Sequence, residues 1–115
     1  MPFQSLTTFL MVAVVAILQK RIEEGIRYLY GVPGKPKNGP YSGSGQYANC
    51  GRVSCSYNSA IWWCNMNSYT LELHSYRQIA DAAKQVVEIC NTGNDVAGRV
   101  KMEGNWAVIV AKASC

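Results

Sequence analysis

Thiol chemistry is the first chemistry this sequence offers. Cys50, Cys55, Cys64, Cys90 and Cys115 all lie after residue 49 of a chain of 115 residues, and Cys115 ends it. A terminal thiol gains little in a reducing compartment, whereas in an oxidising one it ties down the last strand. Two pairs and one remainder allow about 15 arrangements. A Cys50–Cys64 bridge would contribute roughly 3 kcal/mol in the chain-entropy model, and a Cys55–Cys115 bridge roughly 4 kcal/mol. Zinc is the rival use of clustered cysteines. The spacing Cys50-x4-Cys55-x8-Cys64 lacks a paired short knuckle, and the single histidine, His74, is remote, so no metal is expected. Cys64 and His74 can be drawn as a nucleophile and base, but a bridge is the better use of Cys64. The acids Glu23, Glu24, Glu72, Asp81, Glu88, Asp95 and Glu103 show no catalytic pairing, and Gly43-Ser44-Gly45 lacks the lysine and helix of a phosphate loop. No catalytic residue and no cofactor are expected.

Composition bounds what positions these thiols. One domain with a small core fits this length. Apolar residues make up 49% and charged residues 16%, which argues against disorder. The net charge of +4 comes from scattered cations rather than a stripe. That pattern fits acidic cell surfaces and does not point to nucleic acid. Leu6 to Ile17 is an uncharged apolar run, too short to span a membrane and suited to a signal-peptide core, with Val14 and Ala16 placed for cleavage after residue 16. Residues 1–16 are therefore expected to be a signal peptide.

The elements follow from periodicity. Ile17, Ile22, Ile26 and Leu29 form an apolar stripe that predicts a helix over 17–30. Residues 31–45 hold five glycines and three prolines and predict an irregular linker. A cysteine-rich domain is expected over 46–115. Its strands are Gln46 to Cys55 and Ala60 to Cys64, with a turn over 56–59, and Asn65 to Leu73 is expected to loop. Ser75 and Gln78 have capping-box spacing. They start a helix that runs to Cys90 and buries Ile79, Ala82, Ala83, Val86, Val87 and Cys90. Arg77–Asp81 and Lys84–Glu88 are its expected surface pairs. Asn91 to Asp95 ends it. Gly98 to Met102 and Trp106 to Ala113 form a hairpin about Glu103-Gly104-Asn105. The last strand is apolar on both faces, hence central. The fold class is α+β: a small antiparallel sheet with one or two helices packed on one face, an α/β-sandwich stapled by disulfides.

Aromatic residues supply the candidate binding chemistry. Trp62 and Trp63 must face opposite sides of their strand. One is core; the other is either exposed or covered by the N-terminal helix. An exposed tryptophan beside tyrosines such as Tyr57, Tyr69 and Tyr76 would stack on sugar rings or anchor a homodimer.

The stretch Tyr41 to Cys64, YSGSGQYANCGRVSCSYNSAIWWC, resembles the central strands of small secreted cysteine-rich fungal proteins. The nearest pattern is that of the virally encoded killer toxins of smut fungi, the fourth of that series, and related fungal effectors. Cys90, Asn94-Asp95-Val96, Gly98 and the closing run to Cys115 resemble their ending, so the similarity covers roughly 41–115. It implies Cys50–Cys64 and Cys55–Cys115 bridges. In the family the counterpart of Cys90 pairs with an N-terminal cysteine, which this chain lacks. The resemblance therefore leaves Cys90 outside both bridges, a thiol on the buried face of its helix. The toxins' action on calcium channels depends on an exposed basic residue near the strand cysteine. Arg52 is its nearest counterpart, at a spacing shifted by one residue, which turns a strand side chain to the other face.

Together these readings describe a secreted, extracellular effector or killer-toxin-like protein. It would act by binding a protein, membrane or cell-wall surface of a host or competitor cell, through Arg52, Trp62, Trp63 and Tyr57. The alternatives are a small secreted hydrolase of wall polysaccharide or RNA, and a non-toxic structural dimer.

Overall fold

The computed structural model describes residues 8–11, 19–41, 49–90 and 98–115. The small residues at 14 and 16, the beginnings of the predicted first helix and first strand, and the helix terminator at 91–95 lie outside them.

Strand β7 (Trp106–Lys112) is central and buried along all but its last residue, as its two apolar faces require. It pairs antiparallel with β6 (Gly98–Met102) on one side and β4 (Ser59–Asn65) on the other. β1 (Thr8–Met11) extends the sheet beyond β6, and β3 (Cys50–Ser56) extends it beyond β4, giving the order β1-β6-β7-β4-β3. Helix α1 (Gln19–Tyr30) lies over β3 and β4, and α2 (Tyr76–Cys90) over β6 and β7. The molecule is thus an α+β sandwich with both helices on one face of an antiparallel sheet. Between the layers sit Ile22, Ile26 and Leu29 of α1, Ile79, Val86 and Val87 of α2, and Ile61, Trp63, Trp106, Val108 and Val110 of the sheet. Each fully buried aliphatic contributes roughly 1.5–3 kcal/mol.

The N-terminal helix is therefore part of the sandwich, not an appendage ahead of a domain that starts at 46. The reason is its stripe, which has nowhere else to bury. The Gly/Pro segment is not wholly irregular either. Lys37–Asn38 forms a short β2 that pairs with Leu71–Glu72, β5, inside the expected loop. Thr8–Met11, within the expected signal peptide, occupies the sheet edge beside β6.

Two local expectations change. Gln78 Oε1 accepts from the backbone N–H of His74 at 2.6 Å, one residue upstream of the capping-box partner. Asp81 accepts from the Tyr30 hydroxyl at 2.5 Å, and the Arg77 guanidinium lies over the Tyr30 ring, so the two helices are cross-linked where an exposed Arg77–Asp81 pair was expected.

Beyond the apolar layer, asparagines hold the loops. Asn65, fully buried at the end of β4, donates through Nδ2 to the carbonyls of Asn38, Gly39 and Tyr69 at 3.1, 2.7 and 2.7 Å. Its Oδ1 accepts from the backbone and side-chain nitrogens of Asn67 at 2.9 and 3.0 Å. Asn67 passes the link on to the carbonyls of Gly104 and Asn105, in the β6–β7 turn. The Asn49 amide donates to the carbonyls of Gly39 and Pro40. Asn65 thus joins two loops directly and a third through Asn67, and replacing it breaks five hydrogen bonds around a fully buried amide, each with a net worth of about 0.5–1.5 kcal/mol. Asn65→Leu is expected to lower the unfolding free energy by about 3 kcal/mol, read as a lower urea midpoint at unchanged slope. A loss below about 1 kcal/mol would show that the loops are held by other contacts.

Candidate functional site

The two disulfides, Cys50–Cys64 and Cys55–Cys115, lie on the sheet face away from the helices. Register places them there. Cys50 is opposite Cys64 and Cys55 opposite Ala60, on the side that carries Ile109 and Ala111. Cys90 takes part in neither bridge and is buried in the interlayer core. With Cys64 bridged, a Cys64–His74 dyad does not form, and His74 is exposed.

The four expected binding residues separate into three places. Trp63 is 2% exposed and meets Trp106 edge to face, with ring centroids 6.2 Å apart. It is core, not contact surface, because its parity on β4 turns it toward the helices. Trp62 turns the other way and is half-buried with Cys50 and Met66. The N-terminal helix therefore covers Trp63 rather than Trp62. Arg52 stands opposite Trp62, and its Nη1 donates to the carbonyl of Ser114 at 2.8 Å, so its guanidinium holds the C-terminal tail. Tyr57 lies apart, at the tip of the β3–β4 hairpin.

That tip is unusual. Tyr57 and Asn58 have φ of 53° and 62°, the left-handed pair of a two-residue type I′ loop. Asn, Asp and Gly favour these positions. A tyrosine there costs about 1 kcal/mol or more, and its ring remains 70% exposed. The Arg21 guanidinium lies 3.8 Å above the ring centroid, and Arg21 also pairs with Glu24 at 3.3 Å. The ring is thus oriented from α1 but not covered.

Beside it runs a groove of ≈ 340 Å³, lined by Glu24, Gly25 and Tyr28 of α1 and by Ser54, Cys55 and Ser56 of β3. Gly25 sets its floor. A Cβ there would come within 2.6 Å of Ser54 Oγ, so only glycine lets α1 lie this close to the strand. Tyr28 forms the outer wall and is 60% exposed. A register shift between Arg52 and Ser54 bulges β3, which blunts this last strand against pairing with another copy.

A larger groove of ≈ 450 Å³ follows the seam of α1 and α2. Ile26 and Val87 floor it, and Glu23, Arg27, Lys84 and Glu88 ring it with both signs of charge. Its end is closed by Tyr30. The hydrogen bond to Asp81, then partial burial and the Asp81 charge, raise the Tyr30 phenol above its usual value near 10, while Arg77 pulls it down and Glu88 adds to the rise. This seam is how two helices meet, and it displays no exposed ring. The α1–β3 groove does, and it is the better candidate site.

Sequence reasoning found Tyr57 but not Glu24, Tyr28, Ser54 or Ser56. One signal was present: Tyr28 is a large ring off the Ile22–Ile26–Leu29 stripe, and it had to face water. The apposition of α1 with β3, which builds the groove, had no local signal.

No family model, curated protein or solved structure matches the chain. Two disulfides fit an oxidising, extracellular setting. Among the described residues no helix is long and apolar enough to cross a membrane.

Two outcomes are expected. Tyr57→Asn relieves the left-handed strain, so urea unfolding should show stability unchanged or raised by up to about 1 kcal/mol. A loss beyond that would make the ring a structural element. For Tyr30, the folded state holds the phenolic proton more tightly than the unfolded state. That stabilisation is complete below pH 10 and is lost as pH rises through the higher folded value. Stability should therefore fall above pH 10, and Tyr30→Phe should flatten the fall. A wild-type stability that rises through this range would contradict the assignment.

Proposed function

We propose that the chain is a secreted, disulfide-stapled binding protein of the fungal effector and killer-toxin-like kind. It acts on the surface of a host or competitor cell. One observation carries this reading: a tyrosine is kept exposed and pre-oriented at a turn where its own backbone conformation is unfavourable. Strain of this sort persists where it serves recognition. A rigid ring with few rotamers gives contact area at low entropic cost. Tyr28 adds a second exposed ring across the groove. The net charge of +4 favours approach to acidic cell surfaces.

The test is direct. Fluorescently labelled protein should bind intact fungal or plant cells saturably. The Tyr28→Ala/Tyr57→Asn variant should bind at least tenfold more weakly while keeping its near-ultraviolet circular dichroism. Equal binding by the variant would remove these rings from recognition. Turnover of wall polysaccharide or RNA by catalytic amounts of protein would replace the binding reading with a hydrolase.

A further inference from the structure

We propose that the α1–β3 groove is a carbohydrate subsite that takes a neutral hexopyranose unit of a surface polysaccharide. This rests on the surface-binding reading and names its ligand class. At ≈ 340 Å³ the groove is at the low end of small-molecule sites, which run from roughly 300 to 1,000 Å³, and so suits one ring rather than a folded partner.

Its walls carry the Glu24 carboxylate and the hydroxyls of Ser54, Ser56 and Tyr28. Arg21 sits at 3.3 Å from both Glu24 oxygens, so the carboxylate charge is offset and the groove has no excess cation to hold a phosphate. No leucine, isoleucine, valine or methionine lines it, so its apolar surface is that of Tyr28, Gly25 and Cys55 rather than an aliphatic floor for a lipid tail. What remains is a ligand that is uncharged, dense in hydroxyls and apolar on one face. A pyranose ring has those properties. Its hydroxyls would meet Glu24 and the serines, and its C–H face would lie on an exposed tyrosine ring. Tyr57, coupled through Arg21 to Glu24, stands next to Ser56 and is placed to stack the following sugar. Gly25 fixes the depth of the subsite through its close approach to Ser54.

The experiment has two arms. In the first, hexasaccharides of β-1,3-glucan, chitin and mannan are titrated into ¹⁵N-labelled protein, with inorganic phosphate as the counter-probe. At least one sugar should shift the amides of Gly25, Tyr28 and 54–56, phosphate should not, and Tyr28→Ala and Ser56→Ala should each weaken binding at least fivefold. No shift with any sugar, or shifts centred on Lys84 and Val87, would overturn the proposal. In the second arm, cells that bind the protein are treated with periodate, which cleaves vicinal diols, or with protease. Binding should be lost after periodate and kept after protease. The reverse result would overturn the carbohydrate assignment and leave the surface-binding reading intact. Sugar shifts without binding to any cell would do the opposite.

Discussion

Strand β3 is held to the sheet from one side, and the account of this protein depends on how that strand is fixed. It is last in the sheet order, and a bulge interrupts its pairing with β4. Left to backbone hydrogen bonds, such a strand would fray. Cys50–Cys64 clamps it before the bulge and Cys55–Cys115 after it. In the chain-entropy description these bridges contribute roughly 3 and 4 kcal/mol, comparable to the whole net stability of a small domain. Both sit on the face away from the helices. They leave the other face of β3 to meet α1 through the Gly25–Ser54 approach. The groove exists because the strand is fixed from behind while the helix is packed in front.

The remainder of the fold sustains that arrangement. Ile22, Ile26 and Leu29 seat α1 on the sheet, and the Tyr30–Asp81 hydrogen bond ties it to α2. At the far end of β4, the buried Asn65 amide ties two loops directly and a third through Asn67. With Asn49, that network holds Asn38, Gly39 and Pro40 of the glycine- and proline-rich segment next to the start of β3. A core this small orders its loops only in part by apolar burial, and the asparagines add hydrogen bonds centred on the buried Asn65 amide.

Much of this was legible in the chain. The helical stripe of α2, the double-sided apolar strand β7 and the β6–β7 hairpin followed from periodicities that local sequence imposes. The centrality of β7 followed from Ala107, Ile109 and Ala111 alternating with Trp106, Val108 and Val110. The errors came where long-range contact decides. Adjacent tryptophans must face opposite ways, but only the placement of the helices determines that Trp63 is core and Trp62 is not. Arg52 was expected among the binding residues, and its guanidinium donates to the tail carbonyl of Ser114, a contact that no local pattern announces. The site itself combines residues about thirty positions apart in sequence, such as Tyr28 and Ser56, and no local pattern announces such a meeting.

The central claim is one of location: recognition happens where α1 meets the disulfide-clamped β3. Backbone amide exchange, measured residue by residue with and without isolated walls of a cell the protein binds, tests it most directly. The account expects slowed exchange at Gly25, Tyr28, Ser54 and Ser56, with the rest of the molecule unchanged. Protection centred on Lys84, Val87 and Glu88 in the helix seam, or on Arg52 and Trp62 across the sheet, would contradict it.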